Sequence, residues 1–351
     1  MKLQVQTLAH QRRRARRQAR ARRTHPHRSA TRRSRLIHTA QAAVQVAAYR
    51  QEPVVDIVIH APKVVSFVDE PGLVIDLLDR LRAACRPERV VMLDLRNVEV
   101  LTNCAVLLLQ AKLLDDNTFT RRAKIFARPP EDPVAARTWS ESFRAAPKNG
   151  AAYPLDQALI LGRRRFHHKQ VEVNIADILV QRAMHYLTGS PQDHHAGYRT
   201  LVECMSNTFK HADPDTEATE NWWMASYPHL GPGPKRWCFA FVDNGVGILK
   251  SLEIKGFFQR LKQILGLMPN YETLQLLMEG KIGSRLGLSY RGKGLPGIYK
   301  ELLRGRIHNL VIIANDTRAN FATQEFVTLE QHFGGTFLYW ELSLPAQPQT
   351  P

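Results

Sequence analysis

No aspartate or glutamate occurs before Glu52. Over the same stretch Lys2, twelve arginines between positions 12 and 35, and Arg50 contribute +14 of the formal net charge of +17. The rest of the 351 residues carries only about +3, so the basicity is local and not a property of the folded body. The run QRRRARRQARARRTHPHRSATRRSR also has almost nothing apolar to bury, and residues 1–50 are therefore expected to be a disordered tail. Guanidinium charge draws phosphate polymers and anionic lipid head groups. The expected behaviour is salt-sensitive, sequence-independent nucleic-acid binding through residues 1–36. A solvated extension without a partner and an Arg-rich transit peptide are the other readings of the same composition.

Cysteine is scarce and dispersed. Cys85, Cys104, Cys204 and Cys238 form no C-x-x-C pair, which argues against a zinc site or a disulfide framework and for a reducing, cytoplasmic setting. The paired histidines at 167–168 and 194–195 have no helical Glu or Cys partner at ligand spacing and read as surface loops. No apolar run approaches 18 residues, so no transmembrane helix is expected. There is no internal repeat, and G-x-x-x-x-G-K-[ST] is missing, which excludes a P-loop. What is present is 44% hydrophobic residues in a chain long enough for two domains.

After the tail, PVVDIVIHAPKVVSFV reads as two strands around a turn at Ala61-Pro62. Leu73, Leu77, Leu78 and Leu81 then recur at helical spacing, with Pro87 closing that segment. RVVMLDL is a continuous apolar strand and NCAVLLLQAKLLDD a helix, so residues 53–127 read as a small α/β domain in the order β-β-α-β-α. Residues 128–170 turn to Pro, Ala, Arg and Gly with weak periodicity and read as a linker with local helix. A second domain is expected over 171–346. VEVNIADILVQRAMHYLTG is helical, NWWMASY and RWCFAFVDNG are strands flanking the loop PHLGPGPK, and 249–279 is helical. A Gly-rich stretch, a helix from about 295, and the strands NLVIIAN and GGTFLYWELSL follow.

Within that domain, LVECMSNTFKHADPD spaces Glu203, Asn207 and His211 four apart. Such positions drift only about 40° per step on a helix and make one polar line. Leu201, Met205 and Phe209 make an apolar line roughly 200° away. One side suits a core and the other is free for chemistry. CFAFVDNGVGI is a buried strand ending in Asp243, with Gly245 and Gly247 next. That pattern sets an acceptor at the base of a pocket where a flat ligand can approach bare backbone, and equally makes an ordinary Asp-Asn-Gly turn. GSRLGLSYRGKGLPGIYKELL places Gly283, Gly287, Gly292 and Gly294 before a helix, interleaved with Arg285, Arg291 and Lys293. Glycines there expose N–H groups to a phosphate chain and the cations add counter-charge, and a flexible basic loop has a similar composition.

In order, Glu-x3-Asn-x3-His, Asp-x-Gly-x-Gly, Gly-x-Gly-Leu and the Gly-Gly-Thr of 334–336 resemble the boxes of the GHKL ATPases. This family groups gyrase, heat-shock-90-type chaperones, mismatch-repair ATPases and histidine kinases. The resemblance covers roughly residues 175–345, about half the chain. It implies an α/β sandwich of the Bergerat type, with helices on one face of a mixed sheet and ATP between them. By position Asn207 would ligate Mg²⁺, Asp243 would accept from the adenine amino group, and Thr336 would support it through a water. Gly245 and Gly247 would admit the nucleotide. Gly292 and Gly294, followed by Leu295, would wrap the phosphates at the hinge of a lid over about 280–295, with Arg291 or Lys293 adding charge by composition. Glu203 matches the residue that orients or deprotonates the attacking water or a protein hydroxyl, or else only braces its helix. His211 is either a phosphate neighbour or a helix cap. Residues 171–200 are too short for the paired-helix dimerisation module of a histidine kinase.

Upstream, LDLRNVEVLTNCAVLLL resembles the central motif of STAS domains, the anti-sigma-factor antagonist fold. Asp94 matches, but Arg96 stands for the first Ser, Thr102-Asn103 for Asp-Ser, and Ala105 for the Gly. The phospho-accepting serine would fall at Asn103, which cannot be phosphorylated. Together the resemblances imply Mg²⁺-dependent ATP hydrolysis that closes a lid and regulates a protein partner through the STAS-like domain, in a family whose members often dimerise. An anti-sigma-type protein serine/threonine kinase and a non-hydrolysing ATP-dependent binding module are the alternatives.

Overall fold

The computed structural model describes residues 54–115, 123–142, 154–163, 171, 173–211, 222–254, 268–282 and 294–344. The arginine tail and His167-His168 lie outside the described residues. The chain is a mixed α/β protein, and no helix among the described residues is long and apolar enough to cross a membrane.

The upstream part contains β1 (Ile57–His60), β2 (Val64–Val65), α1 (Pro71–Ala84), β3 (Arg89–Asp94), β4 (Val100–Leu101), α2 (Asn103–Asp115), β5 (Ala123–Arg128) and α3 (Pro133–Ser142). Strands β1, β3 and β5 form a parallel sheet in that order, and β2 pairs in parallel with β4. The two strands read around Ala61-Pro62 are therefore present but do not pair with each other. Helix α1 supplies the crossover that a parallel β1–β3 pair requires. It opens on Pro71, whose missing N–H costs nothing in the first turn. Leu77, Leu78 and Leu81 are buried, whereas Leu73 is 45% exposed and Val74 takes the inward position of that turn.

Asp94, at the end of β3, is buried and bonded by Arg96, whose Nη2 lies 2.7 Å from Oδ2 and whose Nε and N–H reach Oδ1. The residue standing where the STAS pattern has serine is thus the counter-ion of the matching aspartate. Its hydrogen bonds hold the Asp94 carboxyl down at about 2. The linked stability is present above the unfolded carboxyl range near 3.8 and is lost as the pH falls through about 2. Asp94→Asn is expected to cost about 2 kcal/mol in urea unfolding at pH 7, with the difference vanishing near pH 2.

The downstream part is built on five strands in the order β6-β7-β8-β10-β9. They are β6 (Leu159–Arg163), β7 (Trp222–Pro228), β8 (Arg236–Asp243), β9 (His308–Asn320) and β10 (Glu325–Ser343). Every neighbouring pair is antiparallel, not the mixed sheet implied by the resemblance. Short connections decide this: 229–235 and 321–324 fold β7–β8 and β9–β10 into hairpins, and a short connection can only join antiparallel strands. The stretch expected to be a linker supplies the end of β5, all of α3, and β6, the edge strand of this sheet.

Helices α4 (Val173–Thr188), α5 (His195–His211), α6 (Ile248–Ile254), α7 (Asn270–Met278) and α8 (Gly294–Leu303) complete the described elements. Alternation along the strands sorts the sheet into two apolar faces. Trp222, Phe239, Phe241 and Trp340 pack with α4, α5 and α7. Trp223, Ala225, Ala240, Val242 and Phe337 face the other way and join one core with α1 and α2. β7 is consequently buried at all seven of its positions. Helix α2 is buried on every side from Cys104 to Lys112, as expected of a helix that is apolar all round.

Candidate functional site

Helix α5 carries the Glu203 line. Its start is fixed by His194, whose Nδ1 accepts the Gly197 N–H at 3.1 Å, so the second histidine pair is part of a helix start and not a free loop. Leu201 and Met205 are fully buried, as are Cys204 and Thr208 to within a few per cent, while Glu203 and Asn207 are half-buried. The side chains of Phe209 and His211 lie outside the described residues.

Helix α8 starts against this line. A Cβ at Gly294 would sit 2.9 Å from Glu203 Oε2 and 3.3 Å from Asn207 Oδ1, and one at Gly297 would sit 2.7 Å from Arg199 Nη2. Glycines three apart share one helix face, and here that face lets α8 lie close on α5. Gly294 is therefore part of the helix, placed by close approach to Glu203 and Asn207. Leu295 packs half-buried against the core below. Arg291, Gly292 and Lys293, with most of the expected lid, lie outside the described residues.

Asp243 ends β8 on the face that looks toward α5, opposite Trp222 on one neighbouring strand and Thr336 on the other. Its Oδ1 accepts the Gly245 N–H at 2.8 Å, which is the Asx-type turn considered above. Burial pushes the Asp243 carboxyl up to about 6, against the pull of the Gly245 N–H, the Lys112 ammonium and the polar groups of Thr336. Gly247 has φ +87°, and a Cβ there would strike the Asn315 amide. Gly335 has φ +116°, and a Cβ there would run into the Asp243 carbonyl. The β10–β9 register breaks at this point, so a bulge shapes the strand end beside Asp243.

Cys204 lies on α5 next to Glu203 and faces the core that Asp243 also faces. This buried thiol is pushed up by desolvation first and then by the charges of Glu203 and Asp243, which places both carboxylates within electrostatic reach of one residue. Among the described residues, no hydrogen bond reaches the side chain of Glu203 or Asn207. Both offer oxygen donors one helical turn apart, a donor chemistry that suits Mg²⁺ better than a softer ion.

Three residues of this region were not singled out from sequence. Asn315, at φ +58° and 3% exposed, accepts the Leu249 and Lys250 N–H groups at 3.2 and 3.4 Å and donates to the Val246 carbonyl at 2.9 Å. It thereby caps α6 and pins the glycine loop to β9. Its only mark in sequence is an Asn closing the apolar run NLVIIAN. Asn244 donates to the Ala111 carbonyl at 3.0 Å, and Lys112 donates to the Gly334 carbonyl while its ammonium stands 4.7 Å from the Phe333 ring centre. Lys112 is 5% exposed, and a lone lysine inside LLLQAKLL was the available signal. Through these bonds α2 grips both the Asp243 turn and the bulge of β10 at Gly334–Thr336. No protein-family model matches this sequence, and the chain matches neither a curated protein nor a solved structure.

Proposed function

We propose that the downstream part binds ATP with Mg²⁺ and hydrolyses it, and that the upstream part passes the nucleotide state to a protein partner. The observation that supports this reading is the convergence of Glu203 and Asn207 on α5, the start of α8, and Asp243 at the end of β8 around Cys204. Asp243 accepts the exocyclic amino group of adenine, and the bare backbone at Gly245 and Gly247 lets the flat base approach. Asn207 offers its carbonyl oxygen to Mg²⁺, and the positive end of the α8 dipole beside it favours a phosphate chain. Glu203 orients the attacking water and takes its proton. The bonds from Asn244 to Ala111 and from Lys112 to Gly334 give the upstream part direct contact with the turn and the β10 bulge that frame Asp243.

Calorimetry with ATP·Mg²⁺ tests the reading. An ionised carboxylate accepts the adenine amino group more strongly than the protonated acid does, so affinity should be flat above about pH 7 and fall as the pH drops through about 6. Asp243→Asn should weaken ATP by tenfold or more and abolish this slope. Without nucleotide the sign is opposite. A carboxyl raised in the folded state holds its proton there, so the Asp243 contribution to stability is present below about 4 and is lost as pH rises through about 6. No heat with either ATP or ADP, or an unaltered pH slope in the variant, would remove the proposal.

A further inference from the structure

At the opposite end of the same strands lies a cluster that the nucleotide reading leaves unused. His229 follows β7, Cys238 lies in β8 and Glu341 in β10, and one donor atom from each lies within 4.8 Å of the other two. Cys238 is the register partner of both Tyr227 and Glu341, so adjacent strands bring the set together. Asp243 lies five positions along β8 from Cys238, about 17 Å along a strand, and the thiol belongs to the sheet face turned toward α1 and α2.

We propose that His229, Cys238 and Glu341 form a site for a borderline-soft divalent cation of the Zn²⁺ class, with a solvent molecule in the fourth position. Nitrogen, sulfur and carboxylate oxygen are the ligand types zinc takes, and three protein ligands leave one position open. The surroundings are organised for it. Glu341 is 3% exposed, and its Oε2 is held by Asn309 Nδ2 at 2.8 Å and Arg236 Nη1 at 3.1 Å, which fixes the carboxylate and leaves Oε1 on the Cys238 side. Among the described residues Oε1 receives the Tyr339 hydroxyl alone, at 2.6 Å, and the same hydroxyl lies 3.2 Å from Cys238 Sγ. A phenol has one proton, so it is shared between the Glu341 carboxylate and the Cys238 sulfur. The His229 main-chain N–H is tied to the Arg236 carbonyl at 3.0 Å. Gly231 lies against the ring at Nε2, where an added Cβ would make the imidazole turn aside. Among the described residues, no hydrogen bond reaches the His229 ring.

Zinc bonds of about 2.0–2.3 Å bring ligand atoms to roughly 3.3–3.8 Å from one another, so a set already within 4.8 Å needs only a small closure on binding. The Cys238 thiol gives its proton to buffer as the metal–sulfur bond forms, the Tyr339 hydroxyl turns away from sulfur, and the ion sheds water for each ligand gained. Metal-ligand spacing was not visible in the sequence because Glu341 lies 103 positions after Cys238.

The reduced full-length protein titrated with Co²⁺ alone should take up one equivalent with a thiolate-to-cobalt charge-transfer band, and Zn²⁺ should bleach it. Cys238→Ser should abolish the band, Cys85→Ser should leave it, and Asp243→Asn should leave it as well, which separates this site from the nucleotide reading. His229 is half-exposed on a loop, so His229→Ala keeps the fold by circular dichroism and should weaken Co²⁺ at least tenfold. Absence of the band in the wild type, or a band and affinity unchanged in His229→Ala, overturns the assignment.

Discussion

Glu203→Ala is expected to lower phosphate release from ATP·Mg²⁺ by about 10²–10⁴-fold, the range for removing a positioned general base, while ATP affinity stays within a few-fold. The reason for the split is geometric. Asp243 and Asn207, the groups proposed to hold base and metal, are untouched, and Glu203 sits on α5 with its Oε2 turned toward the start of α8. Glu203→Gln keeps the volume against Gly294 and should be as slow as the alanine variant, because an amide takes no proton at neutral pH. Single-turnover assays with labelled ATP measure both. Equal turnover in the wild type and the two variants would exclude a catalytic Glu203. Label appearing on a serine of an added protein instead of in free phosphate would select the kinase alternative.

The second large effect is expected at Gly335. Its φ of +116° is a region that side-chain-bearing residues rarely adopt, and a Cβ would be driven into the Asp243 carbonyl. Strain of about 1–3 kcal/mol and an overpacking term of similar size add, so Gly335→Ala should lose about 3 kcal/mol or more in urea unfolding. ATP binding should fall with it, because relief of the clash displaces the strand end that carries Asp243. Gly334→Ala is the internal control. Its φ is not positive and nothing lies within 4 Å of the added Cβ, so it should stay within about 1 kcal/mol of the wild type. If the two variants behave alike, the bulge geometry does not set the position of Asp243.

The grip of α2 on this region bears on how an upstream unit could sense a nucleotide. Lys112 and Ala111 occupy the last turns of a helix buried on all sides, and their partners, Gly334 and Asn244, flank Asp243. A displacement of either segment would have to be taken up by a packed helix, and packed cores shift between discrete arrangements instead of deforming smoothly. That contact is also the route by which the Lys112 charge lowers the Asp243 carboxyl from the other side of the sheet.

Much of the local structure was legible in the sequence because periodicity is a short-range signal. The apolar run RVVMLD, the leucines of α1, the 201–205 line of α5 and the loop PHLGPGPK fall where the pattern puts them. Leu73 lies on the helix as the spacing predicts but faces outward, because helix phase, not leucine identity, chooses the inward positions, and Val74 holds the better phase. β6 was missed because five residues of LILGR between weakly patterned stretches form an edge strand only when β7 stands beside them.

The sequence by itself determined the charge confined to the tail, the positions of most helices and strands, and the placing of Glu203 and Asn207 on one line of one helix. Tertiary structure alone decided that β1 and β2 take different partners, that the five-stranded sheet is antiparallel throughout, and that α1 and α2 cover its second face. It also decided that Asn315 and Lys112 brace the Asp243 turn and that His229, Cys238 and Glu341 meet. The division has one physical cause: the spacing of apolar residues reports which side of an element avoids water, but the identity of whatever covers that side comes from segments tens to hundreds of residues away.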